Sequence, residues 1–220
     1  LSSWQEEHQR SLNPGRYRIL LPIQQDSGME NLIRIGARIA NAQSDLSMCL
    51  LQVVEPQVAD NDETLAALER SRQYTLAKFI RHAVERNVPM YAKTVTNLTP
   101  AEGIISELRS DNNVRLLLFK WPASESEQAK FNQTAKALIN SDLANMGLLF
   151  DRGIDRLENI LVPVGGGIHS KFAIQIAASL AKADNGTVDI IRVVDEELDD
   201  ELYEDQMAYL QEIVMIELGN

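Results

Sequence analysis

The sequence predicts an α/β protein built on a doubly wound, mostly parallel sheet, present in tandem with the second copy incomplete. Three observations carry this. The segment from Ile19, "ILLPIQQDSGMENLIRIGARIANAQSDLSMCLLQVVE", aligns with the segment from Ile160, "ILVPVGGGIHSKFAIQIAASLAKADNGTVDIIRVVD", with a single one-residue gap. Pro22 then matches Pro163, Ala40 matches Ala181, and Val53-Val54 match Val193-Val194. Aliphatic runs such as Met48 to Val54 are continuous rather than alternating, as in strands covered on both faces of a parallel sheet. Between the runs, apolar residues recur at helical spacing, so strands and helices alternate along the chain.

Each copy opens as a βαβ unit. In the first, the helix buries Leu32, Ile33, Ile35, Gly36 and Ile39; in the second, the corresponding stripe is Ala173, Ile174, Ile176, Ala177 and Leu180. The first copy continues with a long amphipathic helix, "ETLAALERSRQYTLAKFIRHAVERN", whose apolar positions are Leu65, Leu68, Leu76, Phe79, Ile80 and Val84. A third strand, "VPMYAKTVTN", follows. Thr99-Pro100 then starts a helix running through Arg109, with the hydroxyl as cap and proline in the first turn. "VRLLLF" is the fourth strand, "FNQTAKALINSD" the next helix and "NMGLLFD" the fifth strand, which completes a doubly wound domain. The second copy stops after its first βαβ, with an acidic run from Asp195 to Asp205, read as a solvated mobile loop, and an apolar helix "MAYLQEIVMIEL". The expected organisation is a lead segment over residues 1–16, a first subdomain over 17–156 and a truncated second subdomain over 157–220.

Composition narrows the class. At 220 residues, 45% hydrophobic and 24% charged, the chain is that of an ordinary globular protein. Its net charge of -11 repels nucleic acid and anionic lipid, and no basic patch offsets it. No apolar run reaches the roughly 20 residues of a membrane span, and "LSSWQEEHQR" has no signal-peptide pattern. The start without Met suggests a piece of a longer protein. Lone Cys49, inside an apolar run, is expected in the core, in a reducing setting.

The strand, proline and glycine-rich turn followed by "HSKFAIQIAASLAKADNGTVDIIRVV" resemble the opening of a universal stress protein domain, over Asn159 to Val194 and more weakly over Arg18 to Glu55. In that family the ATP-binding members carry an acidic residue after the first strand and a glycine-rich phosphate loop after the fourth. Here Gly165 stands after the first strand of copy two, and copy one has Gln24, with Asp26 two places on. After the fourth strand comes "KWPASESEQAKFNQT", where proline lacks an N–H and Glu125 and Glu127 would repel phosphate.

A second resemblance covers most of residues 17 to 151. "RYRILLP", "EGIISELRS" from Glu102, Lys120-Trp121-Pro122, the Phe131 to Ile139 helix and Met146 to Phe150 are similar to the cytoplasmic C-terminal region of cation-chloride cotransporters, members of the amino acid, polyamine and organocation superfamily. Lys120 stands where that family has glycine. The resemblance implies a non-catalytic regulatory and dimerisation domain at the cytoplasmic face of the cell membrane. Its expected partners are a second copy and its own transmembrane domain, which would carry the sodium, potassium or chloride ions. The rival expectations are a free-standing tandem stress protein binding an adenine nucleotide and the sensor tail of an amino acid permease.

No catalytic motif is present: the sequence lacks G-x-S-x-G, H-E-x-x-H and a Walker loop. No cofactor is expected. His8, His82 and His169 lie far apart without metal-ligand spacing, and His82 is assigned to a solvent-facing helix side. Gly165, Gly166, Gly167 and His169 are the candidates for an anion or nucleotide contact, because backbone N–H groups at a helix start hold anions. A flexible turn for the glycines and a helix-start surface residue for His169 are the favoured alternatives. Trp121 is read either as packing at the strand end or as an anchor for a partner, with packing favoured.

Overall fold

The computed structural model describes residues 17–23, 28–43, 45–56, 62–153, 155–165, 168–194 and 199–218. The chain forms two compact units, Leu1–Arg152 and Gly153–Asn220.

In the first unit the strands are β1 (Tyr17–Pro22), β2 (Leu46–Val54), β3 (Met90–Thr96), β4 (Val114–Lys120) and β5 (Asn145–Leu149). The helices are α1 (Met29–Ala42), α2 (Asp62–Val84), α3 (Pro100–Ser110) and α4 (Glu125–Ser141). The strands pair in parallel in the order β3-β2-β1-β4-β5. The α/β fold with a parallel central sheet is therefore as the sequence predicts, and the order reverses between β1 and β4.

Successive strand residues point to opposite faces, so the continuous aliphatic strands feed two cores. On one face Gly36 of α1 lies over Leu21 and Met48. On the other, Leu20, Cys49, Leu51, Leu117 and Phe119 share a core with Ile104 and Leu108 of α3 and Phe131, Ala135 and Leu138 of α4. All five predicted α1 positions are buried.

The α3 start is as the sequence reads. Thr99 Oγ1 accepts the Glu102 N–H at 3.2 Å with Pro100 in the first turn. Gly103 permits close approach to the sheet, since a Cβ there would lie 2.5 Å from Val53 Cγ1. Beneath α3 runs a polar seam: the 3% exposed Glu107 carboxylate meets Lys93 Nζ of β3 at 2.6 Å, and Asp111, capping α3, pairs with Arg18 of β1.

Several expectations need correction. Helix α4 starts at Glu125, not Phe131, because Ser124 accepts the Glu127 N–H and nucleates two polar turns ahead of the apolar stripe. Of the α2 stripe, Leu76, Phe79 and Ile80 are buried, Leu68 is half-buried, and Leu65 and Val84 are exposed. Only the second half of α2 lies against the core. His82 is not solvent-facing: its ring is partly buried and its Nε2 lies 3.3 Å from Glu30 of α1. Lys78 also hydrogen-bonds Glu30, and this contact, with the charges of Lys78 and His82, holds the carboxyl below its usual range.

The second unit contains β6 (Asn159–Pro163), α5 (Ile168–Asp184), β7 (Thr187–Ile191) and α6 (Asp200–Leu218), with β6 and β7 parallel. Its core is Val162, Val164, Ile174, Ala177 and Ile213. With two strands and one helical layer, coverage is thinner than in the first unit: Ala173, expected in the stripe, is exposed, and Ile176 and Leu180 are half-buried. On the opposite sheet face Leu161 is 60% exposed among the described residues. The acidic run is helical from Asp200 onward, a further correction. Asp199 accepts the Leu202 N–H at 2.9 Å, and carboxylates suit the amino end of a helix. Asp195 and its next three neighbours lie outside the described residues.

Candidate functional site

The strand reversal between β1 and β4 creates a crevice at the carboxyl ends of the strands, the usual ligand position in an open parallel sheet. Here it is a cavity of about 340 Å³. Pro22 and Ile23 enter it from the end of β1, Val53 and Glu55 from the end of β2, and Phe119, Lys120 and Trp121 from β4. The start of α3 adds Pro100 and Ile104, and α4 adds Glu127, Lys130, Phe131 and Thr134.

Its floor is aromatic. Phe131 meets Phe119 edge-on at 5.5 Å between centroids and Trp121 edge-on at 5.8 Å. Trp121 therefore packs against the β4–α4 core, the first of its two predicted readings. Its backbone N–H donates to Leu149 O at 2.8 Å, which extends the sheet by one residue past β4. Pro122 follows, and its carbonyl accepts from Gln128 Nε2.

The amino end of α4 is already occupied by its own chain. Ser124 Oγ takes the Glu127 N–H, Ser124 O takes the Gln128 N–H, and Glu125 and Glu127 put two carboxylates in the first turn. No glycine stands in this turn, and the Glu127 and Gln128 amides are already taken by Ser124. Across the crevice, α1 begins at Gly28, which adopts φ 79° and supplies no side-chain cap. The Lys120 ammonium passes directly over it, since a Cβ on Gly28 would sit 2.0 Å from Nζ.

In the second unit Gly165 is exposed with open space where a side chain would be, and His169 is an exposed residue at the start of α5. Gly166 and Gly167 lie outside the described residues, as do His8, Gln24 and Asp26. No strand flanks β6 on its other side among the described residues, so this unit has no second crevice wall. Among the described residues no cluster of His, Cys, Asp and Glu is arranged to hold a metal, and no helix is long and apolar enough to cross a membrane.

Cys49 sits in the core, its thiol pushed up to about 12 by burial, far from thiolate chemistry at neutral pH. The neighbouring Tyr91 hydroxyl is raised as well, again chiefly by burial.

Residues 156–214 match the model of the universal stress protein family. A universal stress protein from Archaeoglobus fulgidus DSM 4304 superposes with a TM-score of 0.57 at 13% identity, over 88% of this chain and 73% of its own. The chain has a universal-stress-protein-like fold. Two further structures are similar at lower scores. UspA from Lactobacillus plantarum gives 0.49 at 13% identity, over 63% of this chain and 100% of its own. A universal stress protein in complex with cAMP gives 0.47 at 12% identity, over 62% and 98%. No curated protein matches the sequence. The universal-stress-protein-like architecture accounts for the parallel sheet and the crevice at its reversal; a likeness of this degree speaks for fold alone.

Proposed function

We propose that the chain is a non-catalytic regulatory and dimerisation domain of a membrane cation-chloride cotransporter, acting at the cytoplasmic face while ions cross a separate membrane domain. The observation that supports this is the convergence of four segments similar to that family. Ile104 and Leu108 of "EGIISEL", Trp121 of "KWP", Phe131 of the following helix and Met146 of "MGLLF" all pack into one core on one face of the sheet. Sequence segments kept together by mutual packing form a physical unit, not a chance set of words.

The rival reading, an adenine-nucleotide-binding stress protein, is opposed by the two carboxylates, Glu125 and Glu127, that the start of α4 would set against a phosphate. Fractionation of source cells with an antibody against this domain tests the proposal. A membrane-bound product longer than 220 residues is expected; a soluble product of this length defeats it. Light scattering over a concentration series, with and without ATP, tests dimerisation. A dimer indifferent to ATP is expected, and a monomer whose melting point rises with ATP reverses the order of the two readings.

A further inference from the structure

We infer that the sheet face of the second unit carrying Leu161, Asp189 and Ile191, with Val193 just past it, docks an amphipathic helix of a partner protein, one that sets a lysine or arginine among its apolar residues. This stands apart from the transporter reading and rests on a comparison of the two units.

The repeat fixes which positions correspond. In the first unit Leu20 stands beside Cys49 and Pro22 beside Leu51; in the second Leu161 stands beside Asp189 and Pro163 beside Ile191, as the alignment requires. Leu20, Cys49 and Leu51 are buried in the core beneath α3 and α4, and Val53 lies under Gly103 of α3. Their counterparts Leu161 and Asp189 are exposed, with Ile191 41% and Val193 88% exposed. Helix α5 covers the other face, where its Ile174 and Ala177 share a core with Val162 and Val164. Positions that the first unit buries under helices thus form an exposed strip in the second, the mark of an interaction surface.

Charge selects the occupant. Asp189 stands where the first unit has Cys49, so a wholly apolar cover would bury an unpaired carboxylate. A helix that sets a cation against Asp189 avoids that cost. The first unit has the same arrangement with the signs exchanged, where Glu107 of the covering α3 meets Lys93 on the sheet. The second unit's own cations are placed elsewhere: Arg156 pairs with Glu158, Arg192 lies over the Tyr209 ring, and Lys171 and Lys182 are on α5. Residues 153–220 hold 14 acidic and 4 basic side chains, a net charge of -10 within the chain's -11. That field attracts a basic partner and opposes both a second copy of this unit and an anionic lipid surface.

The test uses the whole chain and a synthetic helix of about 18 residues whose leucine face is interrupted by one central lysine. A second helix carries glutamate at the central position. Isothermal titration reads affinity and hydrogen exchange reads location. The expected result is a Kd below about 50 μM for the lysine helix and binding at least about ten-fold weaker for the glutamate helix. New protection should fall on residues 159–163 and 187–193. Asp189→Lys should invert the preference between the two helices, and Val193→Asn should weaken the lysine helix about ten-fold. Both side chains are exposed, and circular dichroism confirms that the variants fold. The inference is overturned if the lysine helix does not saturate, if Asp189→Lys leaves the preference unchanged, if Val193→Asn leaves the affinity unchanged, or if the protection falls on the first unit. It fails equally if Leu161→Asn turns a dimer into monomers, since a second copy would then cover the face.

Discussion

The Lys93–Glu107 pair beneath α3 offers a sharp test of how the first unit is held together. Glu107 is 3% exposed and Lys93 39%, with 2.6 Å between Nζ and Oε2. At an effective dielectric of about 20 the attraction at this distance is about 6 kcal/mol. It is offset by a desolvation penalty of several kcal/mol for the buried carboxylate. The pair is therefore worth little in net terms, but Glu107 alone would be costly. Lys93→Met should destabilise the protein by about 3 kcal/mol, the lower end of the range for an orphaned buried charge, because water reaches the lysine side. The double variant Lys93→Met/Glu107→Leu should return to within about 1 kcal/mol of the parent. Urea unfolding followed by far-UV circular dichroism reads both. If Lys93→Met costs less than about 1 kcal/mol, the pair behaves as a surface salt bridge and the reasoning fails. It fails equally if the double variant is as unstable as the single one.

Three other expectations follow from the packing. Phe131→Ala removes the ring shared by Phe119 and Trp121 and should cost about 3–5 kcal/mol, with a red shift of Trp121 emission. Gly103→Ala should cost about 1–3 kcal/mol by forcing α3 off Val53, measured as a lower urea midpoint at unchanged slope. The folded chain holds the Cys49 proton more tightly than the unfolded chain, since its thiol is raised to about 12. Stability from this group is full below the unfolded thiol's value of about 8.5 and is lost as pH rises beyond it, by up to about 1.4 kcal/mol per pH unit. Parent and Cys49→Ala melting curves compared at pH about 8 and about 10 check the sign: the parent should lose more.

The parts of this molecule that sequence made legible are those governed by local rules. Continuous aliphatic runs marked the strands, and the Pro22 and Pro163 match placed equivalent strand ends. Thr99-Pro100 marked a helix start because capping is a three-residue affair. The start of α4 carried a signal of the same kind, Ser124 three places before Glu127, but its polar turns concealed it. The acidic start of α6 looked like loop because charge runs are usually solvated; Glu201, Glu204 and Asp205 are exposed and helical at once. His82 could not be placed from its own helix, because its partner Glu30 stands 52 positions away on α1. The crevice was illegible for the same reason. Its walls come from Pro22 to Thr134, and only the strand order brings them together. Nothing in the spacing of Gly28 and Lys120 announced that one makes room for the other.

The central place of β1 also bears on how the chain is made. β1 pairs with β2, which follows within a few dozen residues, and with β4, whose partner positions lie almost a hundred residues downstream. During synthesis, the first three strands and their helices leave the ribosome while one side of β1 is still open. That side closes only when Val114 to Lys120 emerges, bringing the Arg18–Asp111 contact with it. Long-range parallel pairing is slow, and an unpaired aliphatic strand is prone to aggregation until it is complete. A nascent chain stalled before residue 114 should thus be a strong chaperone client, and one released past β5 should not. In the second unit β6 and β7 pair across the single helix α5, so that contact needs no such wait.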